Sequence, residues 1–324
     1  MDPLQLAASP ESVGVPSAAL QAFVATVETA CPQPHGLLVA RRGQIVAETY
    51  WAPYRAGEPH QLYSVSKTFL SAALAYAAAD WQLSLDDPVL DYFPAAAPAA
   101  PSAALRALRL RHLLTMQAGH EGQTVVRLGR EPDADWATTI LAQPIAHEPG
   151  TRFLYDAGCS YLLAAALERV TEQRLVEYLR PRLWEPLSIG TAGAPPRWET
   201  CPRGVCVGGW GLELTLRELA AFGAALLANE TLPQGPVLPR GWAEEAGQPR
   251  VLLGGTLGGA EVVMELGKPQ ADGVREGRYF YPRYGVDIPL KGPLHAVAEA
   301  QPLTPELVEK LEGDAPLFTD VQLR

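Results

Sequence analysis

The 324-residue sequence predicts an α+β fold in two parts. One part is an antiparallel sheet flanked by helices. The other is a mostly helical part inserted at about residues 80–210. Three observations carry that expectation. A strand–turn–strand pattern covers residues 36–50. An apolar, Ala-rich run from Ser71 to Ala79, following Tyr63 to Leu70, reads as a helix with no polar face, hence one buried all round. Beyond it, helix signals follow one another without intervening strands.

Taken in order, Ser17 after Pro16 opens an amphipathic helix over 17–30. Gly36-Leu37-Leu38-Val39-Ala40 and Ile45-Val46-Ala47-Glu48-Thr49-Tyr50 flank a turn at Arg41-Arg42-Gly43-Gln44 and read as paired strands. A loop rich in Pro, Gly and aromatics leads to Tyr63-Ser64-Val65-Ser66-Lys67 and the apolar helix. Ser84 to Val89 reads as a short capped helical turn, and Ala95 to Ala104 as a Pro/Ala-rich linker. Helices are expected over 108–116, 133–141, 159–171, 173–183 and 215–228, with a Pro/Gly-rich loop from Gly190 to Gly209. Past Trp242 the text changes. Leu252 to Met264 reads as a hairpin around Thr256-Leu257-Gly258-Gly259, and Thr304 to Leu311 as a short helix. Residues 1–245 are therefore expected as one domain and 246–324 as a divergent C-terminal region.

Composition narrows the function. Hydrophobic residues make up 48% and charged residues 19%, enough for a sizeable core. A formal net charge of −10 argues against nucleic acid or anionic membranes as partners. The N-terminus has neither a basic segment nor an apolar one, so no signal peptide is read there, and no stretch is long and apolar enough to span a membrane. A cytoplasmic location is the expectation. Cys31, Cys159, Cys201 and Cys206 lack C-x-x-C spacing, which leaves zinc and redox readings poor and free thiols the plainer account. No G-x-S-x-G elbow and no G-x-G-x-x-G after a strand occur.

The chemistry concentrates at Ser64 and Lys67. Three residues apart at a helix start, they are neighbours on one face. A helix N-terminus and a buried setting both disfavour a charged ammonium, favouring an amine that can take a proton from Ser64. Lysine is rare in this chain, found only at positions 67, 268, 291 and 310. S-x-x-K spacing alone is weak, since a chain of this length holds about one by chance. The alternative is that Ser64 caps the helix and Lys67 stretches to solvent. Tyr155-Asp156, just before the helix at 159–171, offers a phenol that could relay a proton. Its plainer reading is a satisfied Tyr beside an Asp favouring the helix N-terminus.

Together these motifs resemble the serine beta-lactamase-related family of AmpC-like beta-lactamases, D,D-peptidases and esterases. The resemblance spans Ser9-Pro10-Glu11-Ser12-Val13-Gly14-Val15, Leu62 to Phe69 and Leu83 to Val89. It continues through Arg111-His112-Leu113-Leu114-Thr115-Met116 with Gly119-His120, then Pro149-Gly150 to Tyr155. Gly208-Gly209-Trp210-Gly211-Leu212 and Leu219-Ala220-Ala221-Phe222-Gly223 complete it.

The resemblance implies an acyl-enzyme hydrolase with a beta-lactamase/transpeptidase-like fold. It needs no cofactor and no metal, and acts on a small-molecule ester or amide. Ser64 matches the nucleophile, Lys67 its partner base and Tyr155 the tyrosine of the second motif, while Asp156 and His120 are expected at the substrate. The Ser64 N–H would supply half of an oxyanion hole. Two departures stand out. The second motif reads Tyr155-Asp156-Ala157, without the usual Asn, and an ionised Asp cannot donate a hydrogen bond. The third motif, K-[ST]-G or H-x-G after residue 245, is missing. An esterase-like or beta-lactamase-like hydrolase is the first expectation. A catalytically impaired homologue acting as a binding or regulatory protein is the alternative. The sequence sets no oligomeric state.

Overall fold

The structure, a computed structural model, describes residues 4–131, 133–191, 195–228 and 235–242, together with the backbone of five strands between 251 and 323. The chain divides into two compact units, Met1–Glu245 and Ala246–Arg324.

The first unit begins with a three-stranded sheet in the order β1-β3-β2. Strands β2 (Gly36–Arg41) and β3 (Gln44–Tyr50) pair antiparallel, and β1 (Gln5–Leu6) joins β3 in parallel. Arg42 and Gly43 close the hairpin with φ of 53° and 72°. Positive φ at both positions matches the right-handed twist of the flanking strands. Helix α1 (Ser17–Ala30) follows the expected span, and none of its residues is fully buried.

Helix α2 (Ser66–Ala79) is the axis of the helical core. Phe69, Leu70 and the run Ala72 to Ala77 are all buried, as a helix without a polar face requires. Phe69 stacks on Phe222 with ring centroids 4.0 Å apart and lies 5.7 Å from Trp184. The single Tyr76 O–H is shared between the carbonyls of Val237 and Arg182, at 2.8 and 3.0 Å, which satisfies its polar end. Helix α6 (Ala157–Thr171) packs beside α2, with Cys159 to Ala164 buried without a break. Short helices α3 (Ala103–Ala107), α4 (Leu110–Leu114), α5 (Trp136–Leu141) and α7 (Leu175–Leu179) surround this pair, and α8 (Leu216–Ala228) supplies Phe222.

Local chemistry trims several expected helices. Ser84 to Val89 forms no helical turn. The Ser84 N–H donates to Asp87 Oδ2 at 2.8 Å and the Asp87 N–H donates to Ser84 O at 3.0 Å, giving the backbone a closed turn instead. A 3-10 turn follows over Val89–Tyr92. The 173–183 segment splits into α7 and a wider π turn at Arg180–Trp184. Pro181 has no N–H with which to continue an α ladder.

A second small sheet, β4-β6-β5, positions the site. Strand β4 (His60–Gln61) pairs antiparallel with β6 (Leu212–Leu214), which also pairs with β5 (Arg197–Trp198). The Leu62 N–H donates to Leu212 O at 2.8 Å, and the Leu212 N–H donates to Ser66 Oγ at 3.2 Å. The entrance to α2 is thereby tied to the segment just after Gly208-Gly209.

The second unit is a sheet in the order β11-β10-β9-β8-β7. Strands β7 (Val251–Leu257), β8 (Ala260–Leu266), β9 (Val274–Tyr281) and β10 (Val286–Ala296) form an antiparallel meander, with β11 (Val321–Leu323) parallel to β10. The hairpin expected at 252–264 is β7–β8. Lys291-Gly292 lies within β10. The helix expected over Thr304 to Leu311 falls outside the described residues.

Candidate active site

Ser64 sits in a single 3-10 turn, Tyr63–Val65, which runs directly into α2. The N-cap of α2 is Val65, with no side-chain cap bond. Ser64 therefore does no capping, and its exposed hydroxyl is left for other partners. Lys67, on the first turn of α2, donates through Nζ to Ser64 Oγ at 3.3 Å and to the Gly209 carbonyl at 2.6 Å. It is half-buried and held by the chain rather than stretched into solvent.

Tyr155 completes the group from the segment before α6. Its hydroxyl donates to Ser64 Oγ at 2.6 Å, and Lys67 Nζ lies 4.9 Å from its ring centre. Partial burial pushes the Tyr155 phenol up, but its hydrogen bonds with Lys67 and Ser64, reinforced by the Lys67 charge, outweigh that. The net effect holds it below the ordinary phenol value. Ser64 thus touches two groups able to exchange its proton. Its own N–H, at the start of a helical turn, has no acceptor within that turn.

Asp156 and His120, expected at the substrate, lie close to each other. Both are buried, whereas Ser64 is exposed. Asp156 is the N-cap of α6 and accepts from the Gly158 N–H at 3.0 Å. Its carboxylate also accepts from the Thr124 N–H at 3.0 Å and the Thr124 hydroxyl at 2.9 Å. His120 Nδ1 lies 3.7 Å from Asp156 Oδ2, too long for a hydrogen bond, and is buried without a partner. Burial holds His120 below its ordinary value, opposed by the Asp156 charge. A carboxylate engaged this way anchors the Tyr155 segment.

Two contributors are absent from the sequence reading. The Gly209 carbonyl fixes Lys67, and the Gly208-Gly209 pair was a visible signal for it. A Cβ at Gly209 would stand 3.5 Å from Lys67 Nζ. Thr124, the partner of Asp156, has no signal in its neighbourhood. Among the described residues no group of three or more His, Cys, Asp or Glu could hold a metal ion, and no helix is long and apolar enough to cross a membrane. A cavity of about 550 Å³ lined by Glu48, Tyr50, Glu213 and Arg217 lies apart from Ser64, which does not line it.

A buried helix, with a lysine on its first turn and a tyrosine from a remote segment converging on the serine of the turn before it, defines a recognisable class of fold and site. The family model described as Beta-lactamase matches residues 29–264, and the chain belongs to that family. It is 27% identical over 232 residues to a 6-aminohexanoate-dimer hydrolase of Paenarthrobacter ureafaciens, covering 68% of this chain and 57% of that one. It is 28% identical over 175 residues to esterase EstB of Burkholderia gladioli, covering 49% of this chain and 44% of that one. The chain thus spans about half the length of these curated relatives. Among solved structures, a penicillin-binding protein homologue from Pyrococcus abyssi superimposes with a TM-score of 0.54 at 17% identity, covering 83% of this chain and 72% of that one. A D-stereospecific amidohydrolase from Streptomyces sp. gives 0.52 at 19%, covering 82% and 91%. At these identities the structural likeness speaks for the fold alone.

Proposed function

We propose that this chain is a serine hydrolase that cleaves a carboxylic ester or amide through an acyl-Ser64 intermediate. The observation that carries the reading is that Ser64 Oγ, which caps no helix, is hydrogen-bonded at once to Lys67 Nζ and the Tyr155 hydroxyl. Ser64 Oγ attacks the substrate carbonyl as its proton passes to the Lys67–Tyr155 pair. The carbonyl oxygen takes up negative charge beside the Ser64 N–H. The bond to the alcohol or amine then breaks, and the leaving group takes the proton from the same pair. Water attacks the acyl ester by the reverse sequence and restores Ser64. Asp156 and Thr124 hold the Tyr155 segment in place. The names of the relatives, a 6-aminohexanoate-dimer hydrolase and an esterase, support a hydrolase reading.

Mass spectrometry after treatment with a fluorophosphonate tests this reading. A single adduct on Ser64, absent in Ser64→Ala, is the expected result. Folded protein without an adduct would sink the reading. The competing reading, a binding protein on the same fold, draws on the missing third motif after residue 245. It requires wild type and Ser64→Ala to show equal background turnover of p-nitrophenyl acetate.

A further inference from the structure

Exposed large apolar residues recur in the two segments that carry Ser64 and Tyr155. Nine are exposed among the described residues, and four of them are Tyr63, Val65, Phe153 and Tyr155, at 68%, 46%, 38% and 42%. Tyr63 and Val65 flank Ser64 in sequence. Phe153 and Tyr155 are exposed, Leu154 between them is partly buried and Asp156 is buried. Phe153 stands two residues before Tyr155, whose hydroxyl reaches Ser64. An apolar cluster gathered at a reactive centre marks what binds there.

Tyr63 adds a second, independent sign. Its φ of 45° lies in the left-handed region, where a bulky residue is strained and glycine is not. Its ring is the most exposed of the four, so core packing does not account for its presence. Strain kept beside a nucleophile by a residue the core does not need points to a role at the site.

We propose that Tyr63, Val65 and Phe153 form an apolar collar around Ser64 that selects substrates with a hydrophobic acyl group. The inference rests on the hydrolase reading, because the acyl group is the part that stays on Ser64 after the leaving group departs. These side chains are then specificity determinants, and the preferred substrates are neutral esters or amides of medium-chain or aromatic carboxylic acids.

The test is a series of p-nitrophenyl esters from acetate to hexanoate, with rates normalised to Ser64 sites titrated by fluorophosphonate. Full burial of a methylene is worth about fourfold, so a half-open collar should raise kcat/KM about twofold for each methylene added. Tyr63→Gly and Phe153→Ala should each cut the hexanoate-to-acetate ratio at least threefold. Tyr63→Phe should keep the ratio, as should Trp81→Ser, which removes an exposed ring beyond the far end of α2. Glycine accepts the backbone at position 63, so Tyr63→Gly should melt no lower than wild type. A labelled Ser64 with a flat chain-length profile, or a ratio unmoved by Tyr63→Gly and Phe153→Ala, overturns the collar alone. Folded protein that neither turns over any ester nor takes the label overturns the hydrolase reading and the collar with it.

Discussion

Ser64, Lys67 and Tyr155 meet within hydrogen-bonding reach, and the phenol is the member whose acidity the surroundings change. With the phenol held below its ordinary value, the phenolate that can accept the Ser64 proton forms at lower pH than a free tyrosine would allow. Activity should therefore rise with pH through that lowered value and fall away below it. Tyr155→Phe should remove this limb and slow kcat/KM by about 10²–10⁴. Stopped-flow assays with a neutral ester across the pH range check both. Asp156 bears a different load. Asp156→Ala strands the buried Thr124 N–H and hydroxyl and the Gly158 N–H, at about 1–3 kcal/mol for an orphaned group. Thermal denaturation should show the loss, and titrated sites should fall with it. At this scale the sequence was readable where unusual residues occur. Ser64, Lys67 and Tyr155 are singled out by motifs in a lysine-poor chain, and the fold brings the three together. The inward turn of Asp156 did not, because the donor that claims its carboxylate, Thr124, is 32 positions away with no local signature.

Long apolar elements were the legible ones. Helix α2 and the β2–β3 hairpin match their expected spans because periodicity and turn residues speak together there. Strands β4, β5 and β6 were not anticipated, since two or three residues show no alternation. Yet these short strands bring Gly208-Gly209 to the start of α2. Gly208 has φ of 65°, and a Cβ there would meet Ala164 Cβ at 2.7 Å and Ser160 O at 2.9 Å. Gly208→Ala should cost about 2–4 kcal/mol from left-handed strain and overpacking. It should also displace the carbonyl of Gly209 that holds Lys67. Chemical denaturation measures the first effect. The second should appear as slower Ser64 labelling in the molecules that remain folded.

The whole chain carries a net charge of −10, and its field acts on any charged substrate before contact. For an anionic ester, kcat/KM should rise as salt is raised from about 0.01 to 0.15 M and the repulsion is screened, while a neutral ester of similar size should stay flat. Equal salt profiles for the two would count against long-range repulsion. The site itself is assembled from remote stretches of chain. Ser64 meets Tyr155 across 91 positions, and Lys67 meets Gly209 across 142. Such contacts close late, because loop entropy is lost before they form. A covalent probe of Ser64 is consequently a clock for folding as well as a reporter of activity. During refolding, far-UV helical signal should recover first. The capacity to be labelled should return only with the last cooperative step, so counting labelled molecules counts those that have become native.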